Sequence, residues 1–265
     1  MATFVLIHGA ASDSWYWHLV VPELEQRGHR VLADDLPSDD DTAGLPEYAD
    51  AVVAALTLAG NPDDVVLVAQ SMAGFTAPLV AARVPVQLIV LVAVMVPAPG
   101  EAGRDWWTNT GWEQAHREQA QRDGRPLGDG LDPVDEFLHD LPPDVLEAAL
   151  ARGERPQSGT PFAAPWPLDV WPDVPTRFLL CRDDRFFPAD FQRRVVRDRL
   201  GIVPDEVDGG HLPALARPKE LAERLDAYWV GIDRSYGVTK PRGAVTRVIG
   251  DGQATVRSHR KGVSA

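Results

Sequence analysis

Residues 65–74 read Val-Val-Leu-Val-Ala-Gln-Ser-Met-Ala-Gly, and this stretch decides the fold. Val65–Ala69 is a short, apolar, β-branched run, the pattern of a strand buried on both faces. A helical pattern follows directly, over Met72–Arg83. Ser71 therefore stands at a strand-to-helix turn, with Ala69 two residues before it and Ala73 two after. A nucleophile elbow needs small residues at those places, because its strained turn leaves no room for larger neighbours. Here two alanines replace the glycines of G-x-S-x-G, and a serine that merely caps the following helix fits the same residues.

Working outward, similar strand patterns recur at Phe4–Ile7, His29–Ala33, Gln87–Val94, Thr176–Cys181 and Ile202–Val207. Helical patterns lie between them at Trp17–Arg27, Pro46–Ala59, Pro188–Leu200 and Pro218–Val230, with Gly28 and Gly60 placed to stop the first two. This alternation predicts an α/β fold, an open and mostly parallel sheet of about six strands flanked by helices. The alternation breaks between Pro97 and Pro175, a stretch that holds five tryptophans and two helix candidates, Glu113–Arg122 and Pro143–Arg152. So long a connection predicts a helical cap inserted at about 97–175.

Three more turns carry candidate chemistry. His8-Gly9-Ala10 ends the first strand, so the backbone N–H groups of Ala10 and Met72 are placed to receive an oxyanion, with His8 shaping the turn. Asp183 and Asp184 follow the fifth strand, and Asp208-Gly209-Gly210-His211 follows the sixth. His18, His29, His116, His139 and His259 lie in helix-like, strand-start or tail positions, which leaves His211 in the post-strand place of a general base. A serine hydroxyl is a weak nucleophile until a base takes its proton, and the imidazole must be held in one tautomer. The chain order is Ser71, then Asp183 or Asp184, then His211; the other aspartate is left to pair with Arg182 or Arg185.

Charge and composition narrow the partners. The 265 residues hold 26 basic and 39 acidic side chains, a net charge of −13. Seven basic and two acidic residues fall within 231–265, which leaves residues 1–230 at −18. The expected organisation is an acidic domain over 1–230 and a flexible basic tail over 231–265, lying on the acidic body, on another protomer, or on nothing. So acidic a body disfavours nucleic acid and anionic membrane surfaces. No basic, apolar leader opens the chain, and the longest apolar stretch, Val86–Val96, is about half a membrane span. One cysteine, Cys181, permits no internal disulfide, and its place in a strand predicts a buried, inert thiol. A cytoplasmic setting is expected, with a monomer or homodimer as the acting unit. No phosphate loop, H-E-x-x-H or G-x-G-x-x-G is present, and Asp39-Asp40-Asp41 reads as a solvated loop, so no cofactor and no metal are expected.

Taken together the chain resembles the α/β-hydrolase superfamily, and more closely the branch of plant methyl-ester esterases and hydroxynitrile lyases. The resemblance rests on F-V-L-I-H-G-A at 4–10, Trp15-Tyr16-Trp17, G-H-R-V at 28–31, D-L at 35–36 and the Ser71 turn. It continues through C-R-D-D-R-F-F-P-A-D-F-Q at 181–192 and G-H-L-P-A-L…P-K-E-L at 210–221, and finds no counterpart after about residue 230. It implies Ser71, Asp184 and His211 as the triad, because the family acid precedes a three-residue spacer and a proline. Lyases of the branch carry Thr where Gly9 stands and Lys where Leu212 stands, so the resemblance implies an esterase. Gln70 for a common His, Ala73 for Gly, and Pro78 within the helix depart from the pattern.

The expected activity is cofactor-independent hydrolysis of a carboxylic ester through an acyl-enzyme. The substrate is expected to be a small, largely apolar or aromatic ester, with Trp15, Phe75, Trp106, Trp107 and Trp112 as pocket residues. A lactonase, thioesterase, amidase, C–C hydrolase or perhydrolase on the same triad, or a non-catalytic small-molecule receptor, are the competing readings.

Overall fold

Alternate residues of a strand point to opposite faces, and in the central strands of this chain both sets are apolar. The computed structural model describes residues 1–126 and 130–232. Among them, β1 (Thr3–Ile7), β2 (Arg30–Leu32), β3 (Val65–Gln70), β4 (Leu88–Val92), β5 (Thr176–Cys181) and β6 (Asp205–Val207) form one sheet, ordered β2-β1-β3-β4-β5-β6 and parallel throughout. Val5, Ile7, Leu67, Ile89, Leu91 and Leu180 pack on one face against α2 (Leu45–Leu58), α3 (Ala77–Ala81) and α9 (Ala189–Leu200). Phe4, Leu6, Val66, Val68, Val90 and Leu179 pack on the other, against α1 (Val20–Gln26) and α11 (Pro218–Val230). Each such side chain contributes about 1.5–3 kcal/mol by leaving water. Cys181 is among the fully buried residues, and burial raises its thiol well above the ordinary value.

Register sets what meets at the carboxyl ends of the strands. Ile7 pairs with Ala69, so residues 8–10 and 70–72 emerge side by side. Cys181 pairs with Val207, which brings the loop after β5 beside the loop after β6. The chain runs from β1 to β2 on one side and returns to β3 on the other, so β1 and β3 flank the point where strand order reverses. Open α/β sheets bind ligands at that point.

Several elements depart from the sequence expectation. The pattern over Met72–Arg83 divides into a 3-10 turn, Ser71–Gly74, and α3, where Pro78 occupies the first turn instead of a helix interior. Trp17–Arg27 likewise divides into a 3-10 turn, Ser14–Trp17, and α1. β4 stops at Val92 because Ala93 takes a left-handed backbone, φ 47°. β6 starts only at Asp205, since Pro204 brings no N–H to the ladder. Between β4 and β5 lie α4 (Gly103–Thr110), α5 (Trp112–Arg122), α6 (Pro133–Phe137), α7 (Pro143–Arg152) and α8 (Thr160–Ala163). α5 and α7 match their patterns; α4, α6 and α8 are short and escaped them. After β6, α10 (Pro213–Ala216) precedes α11. No described helix is long and apolar enough to cross a membrane. The basic tail, from residue 233 on, lies outside the described residues.

Candidate active site

Ser71 has φ 53°, a left-handed backbone that costs a non-glycine residue of order 1 kcal/mol or more. The packing around it holds this strain. Its carbonyl accepts the Met95 N–H at 3.0 Å, and Ala69 and Ala73 are wholly buried on either side. A Cβ on Gly74 would collide with the Met95 carbonyl oxygen and stand 2.9 Å from Val94 Cβ, so only glycine lets the chain just after β4 approach this turn. Gly9 answers the same need from β1, because a Cβ there would collide with Gln70 Oε1 and lie 2.8 Å from Ser71 Cβ. This close approach brings Ala10 and Met72 into the wall of one cavity with Ser71. Amides at the start of a helical turn have no partner within it, so Met72 carries a donor suited to a negative oxygen.

His8 is fully buried behind this turn. The Leu36 N–H donates to its Nε2 at 3.0 Å, and its Nδ1 lies 2.8 Å from the Gly9 carbonyl oxygen. Burial lowers its pKa below the ordinary value, and the ring ties the turn after β1 to the Leu36 backbone.

His211 reaches Ser71 from the loop after β6. Its Nε2 lies 3.1 Å from Ser71 Oγ, and its Nδ1 lies 2.8 Å from Asp184 Oδ2. The carboxylate fixes the tautomer: Nδ1–H donates to Asp184, which leaves Nε2 to accept the Ser71 hydroxyl. Asp184 and His211 are each 2% exposed. Buried charge is tolerated here because the carboxylate is fully bonded. Its Oδ1 accepts the Phe186 and Phe187 N–H groups at 2.9 and 2.8 Å, and its Oδ2 also accepts Gln192 Nε2 at 3.2 Å. Asp183 faces elsewhere, accepting the Gly209 N–H at 2.9 Å while its own N–H donates to the Gly209 carbonyl. The two aspartates thus divide the work, one on the imidazole and one on the loop that carries it.

Above Ser71 lies a mainly apolar cavity of about 530 Å³. Of the expected pocket residues, Trp15 and Trp107 line it. Phe75, Trp106 and Trp112 do not, and the reason is packing. Phe75 is 1% exposed in the core, where its carbonyl accepts Trp166 Nε1–H at 3.0 Å. Trp106 is fully buried against Phe187 and Phe191 and donates to the Val96 carbonyl at 2.9 Å. Trp112 stands one layer back, donating to the Phe186 carbonyl at 2.7 Å and stacking on His116. The cavity walls instead include Met95, Phe137, Phe162 and Phe186. Phe186 follows Asp184 by two residues, so the motif that placed the acid also marked a wall. No group of three or more His, Cys, Asp or Glu side chains suited to a metal ion occurs among the described residues.

A sequence profile of the Alpha/beta hydrolase family matches residues 4–224. The chain belongs to that family. This alpha/beta hydrolase is 29% identical over 252 residues to Methylesterase 7 of Arabidopsis thaliana, covering 84% of the chain and 94% of that protein. It is 26% identical over 253 residues to Methyl jasmonate esterase 1 of Vitis vinifera, with 84% and 94% covered. Among solved structures, an extracellular alpha/beta-hydrolase from a Paenibacillus species superposes with a TM-score of 0.68 at 20% identity, covering 86% of this alpha/beta hydrolase and 98% of the other chain. That likeness speaks for the fold alone.

Proposed function

We propose that the protein is a serine hydrolase that cleaves the carboxylic ester of a small, largely apolar or aromatic substrate through an acyl-enzyme. One observation carries this reading: the hydrogen-bonded line Ser71–His211–Asp184 at the floor of an apolar cavity. The esterase names of the relatives support the bond type.

In the proposed mechanism, His211 Nε2 takes the Ser71 proton as Oγ attacks the ester carbonyl. The imidazolium that forms is stabilised by Asp184, already held by three other hydrogen bonds, so little reorganises during the step. The Ala10 and Met72 N–H groups receive the oxyanion, and His211 returns its proton to the leaving alcohol. Water then takes the alcohol's place and attacks the acyl carbonyl as Nε2 takes its proton; the bond to Oγ breaks, His211 returns the proton to Ser71, and the acid leaves. Every proton acceptor and oxyanion donor in this sequence belongs to the chain, so no cofactor is needed. The 97–175 insert acts as a cap, contributing Trp107, Phe137 and Phe162 to the cavity wall. We further propose a small-molecule ester as the partner and a monomer or homodimer acting in the cytoplasm; the acidic charge of residues 1–230 disfavours nucleic acid and anionic membrane surfaces.

Ser71→Ala is expected to lower kcat on short p-nitrophenyl esters by about 10⁴-fold or more. A fluorophosphonate probe is expected to label the wild-type protein at Ser71. Unchanged hydrolysis by Ser71→Ala would sink the assignment, and an unlabelled folded wild type would favour a receptor.

A further inference from the structure

Three residues hold the backbone from which His211 projects, and each comes from a different part of the fold. Gln70, beside the nucleophile, donates from Nε2 to the His211 carbonyl at 3.2 Å. Asp183, after β5, accepts the Gly209 N–H at 2.9 Å. Asp140, in the segment that follows α6, accepts the Gly210 N–H at 2.7 Å through Oδ2. Asp140 is the contact made by the insert. The fit is tight, because a Cβ on Gly210 would stand 2.8 Å from both Asp140 Oδ1 and His139 Nε2. Just upstream, the Phe137 ring at the end of α6 lies 5.4 Å from the His211 ring, and Leu138 lines the cavity. The insert therefore grips His211 from the ring side and from the backbone side.

We propose that Asp140 is a positioning residue for the general base: through the Gly210 amide it fixes the backbone that aims His211 Nε2 at Ser71 Oγ. This rests on the role assigned to His211 above. Asp140 is not part of the cavity wall, so its effect falls on alignment of the base and not on substrate contacts. A displacement of about 1 Å at a reacting group can cost about 100-fold in rate. Releasing one of three tethers allows part of that.

The test compares wild type, Asp140→Ala and Asp140→Asn on a short p-nitrophenyl ester, with active sites counted by fluorophosphonate titration. Asp140→Ala is expected to lower kcat per titrated site about 10-fold, with KM changed less than about twofold. Phosphonylation of Ser71 is expected to slow by a similar factor. Asp140→Asn keeps an oxygen that accepts the Gly210 N–H, so it should return kcat to within about threefold of wild type. If Asp140→Ala does not fold, Asp140→Ser, too short to reach Gly210, takes its place. A merely structural role would change the number of titrated sites and leave kcat per site intact, and that result would overturn the proposal. So would Asp140→Asn falling as far as Asp140→Ala. An unlabelled wild type would instead defeat the serine-hydrolase reading, and this inference with it, before any variant is compared.

Discussion

Asp184 accepts four hydrogen bonds on two oxygens, and the one from Gln192 shares Oδ2 with the imidazole. The Gln192 amide also donates to the Phe187 carbonyl at 3.1 Å, tying α9 to the loop after β5. Gln192→Leu keeps the bulk and removes both donors, leaving a buried carbonyl and a buried carboxylate oxygen short of a partner. Unfolding free energy should fall by about 1–3 kcal/mol. If Gln192 also steadies the carboxylate for catalysis, kcat should fall about 10-fold with KM steady; urea unfolding and steady-state kinetics separate the two effects. At this scale the sequence was most informative where chain order carried meaning. Ser71, Asp184 and His211 each follow a strand, and parallel pairing brings such ends together. It was least informative for side-chain direction: Trp106 and Trp107 are neighbours on α4, about 100° apart around the axis, and one enters the core while the other faces the cavity. Asp140 gave no local signal at all, because its partner is a backbone amide 70 residues away.

Elements are joined by ion pairs as well as by apolar packing, and one joins the insert to the sheet layer. Arg199, near the end of α9, pairs with Glu101 just before α4, and Glu101 Oε1 accepts Arg199 Nη2 at 2.8 Å. Burial pushes the Glu101 carboxyl up, yet hydrogen bonds from Arg199, Asn109 and the Ala98 N–H outweigh it and hold the pKa below the ordinary value. A depressed folded value means the unfolded chain takes up the proton first. This contribution is therefore complete above the ordinary carboxyl range, about pH 4.3, and is lost as pH falls below it. The urea midpoint of wild type should decline through that window, and Glu101→Gln should flatten the part due to this pair while lowering stability at pH 7. An equal acid slope in the variant would assign the decline to other carboxylates. The insert was legible as a break in strand–helix alternation. Its short helices α6 and α8 were not, because four or five residues starting at or next to a proline carry too little periodicity to stand out from a loop.

For the molecule as a whole, charge divides between an acidic stretch over residues 1–230 and a basic one over 231–265. Every strand of the described sheet, and Ser71, Asp184 and His211, lie within residues 1–232. A chain ending at Ile232 should keep ester hydrolysis within about twofold of the full chain, since no proposed catalytic group is removed; a steady-state comparison at equal titrated sites checks this. Collapse of activity or solubility would make the basic tail a working part. The parallel sheet was legible because strands apolar on both faces read as unbroken runs, as Val65–Ala69 does. Its strand limits were blurred by backbone conformation at Ala93 and by Pro204.

The buried thiol has a practical corollary. Cys181 is the one cysteine of the chain, sealed within β5 and protonated. Alkylating dyes should pass over the native fold, which makes it a blank slate for spectroscopy. A single Leu150→Cys substitution, on an exposed residue that also lines the cavity, would give a fluorophore one unambiguous address from which to watch ligands enter.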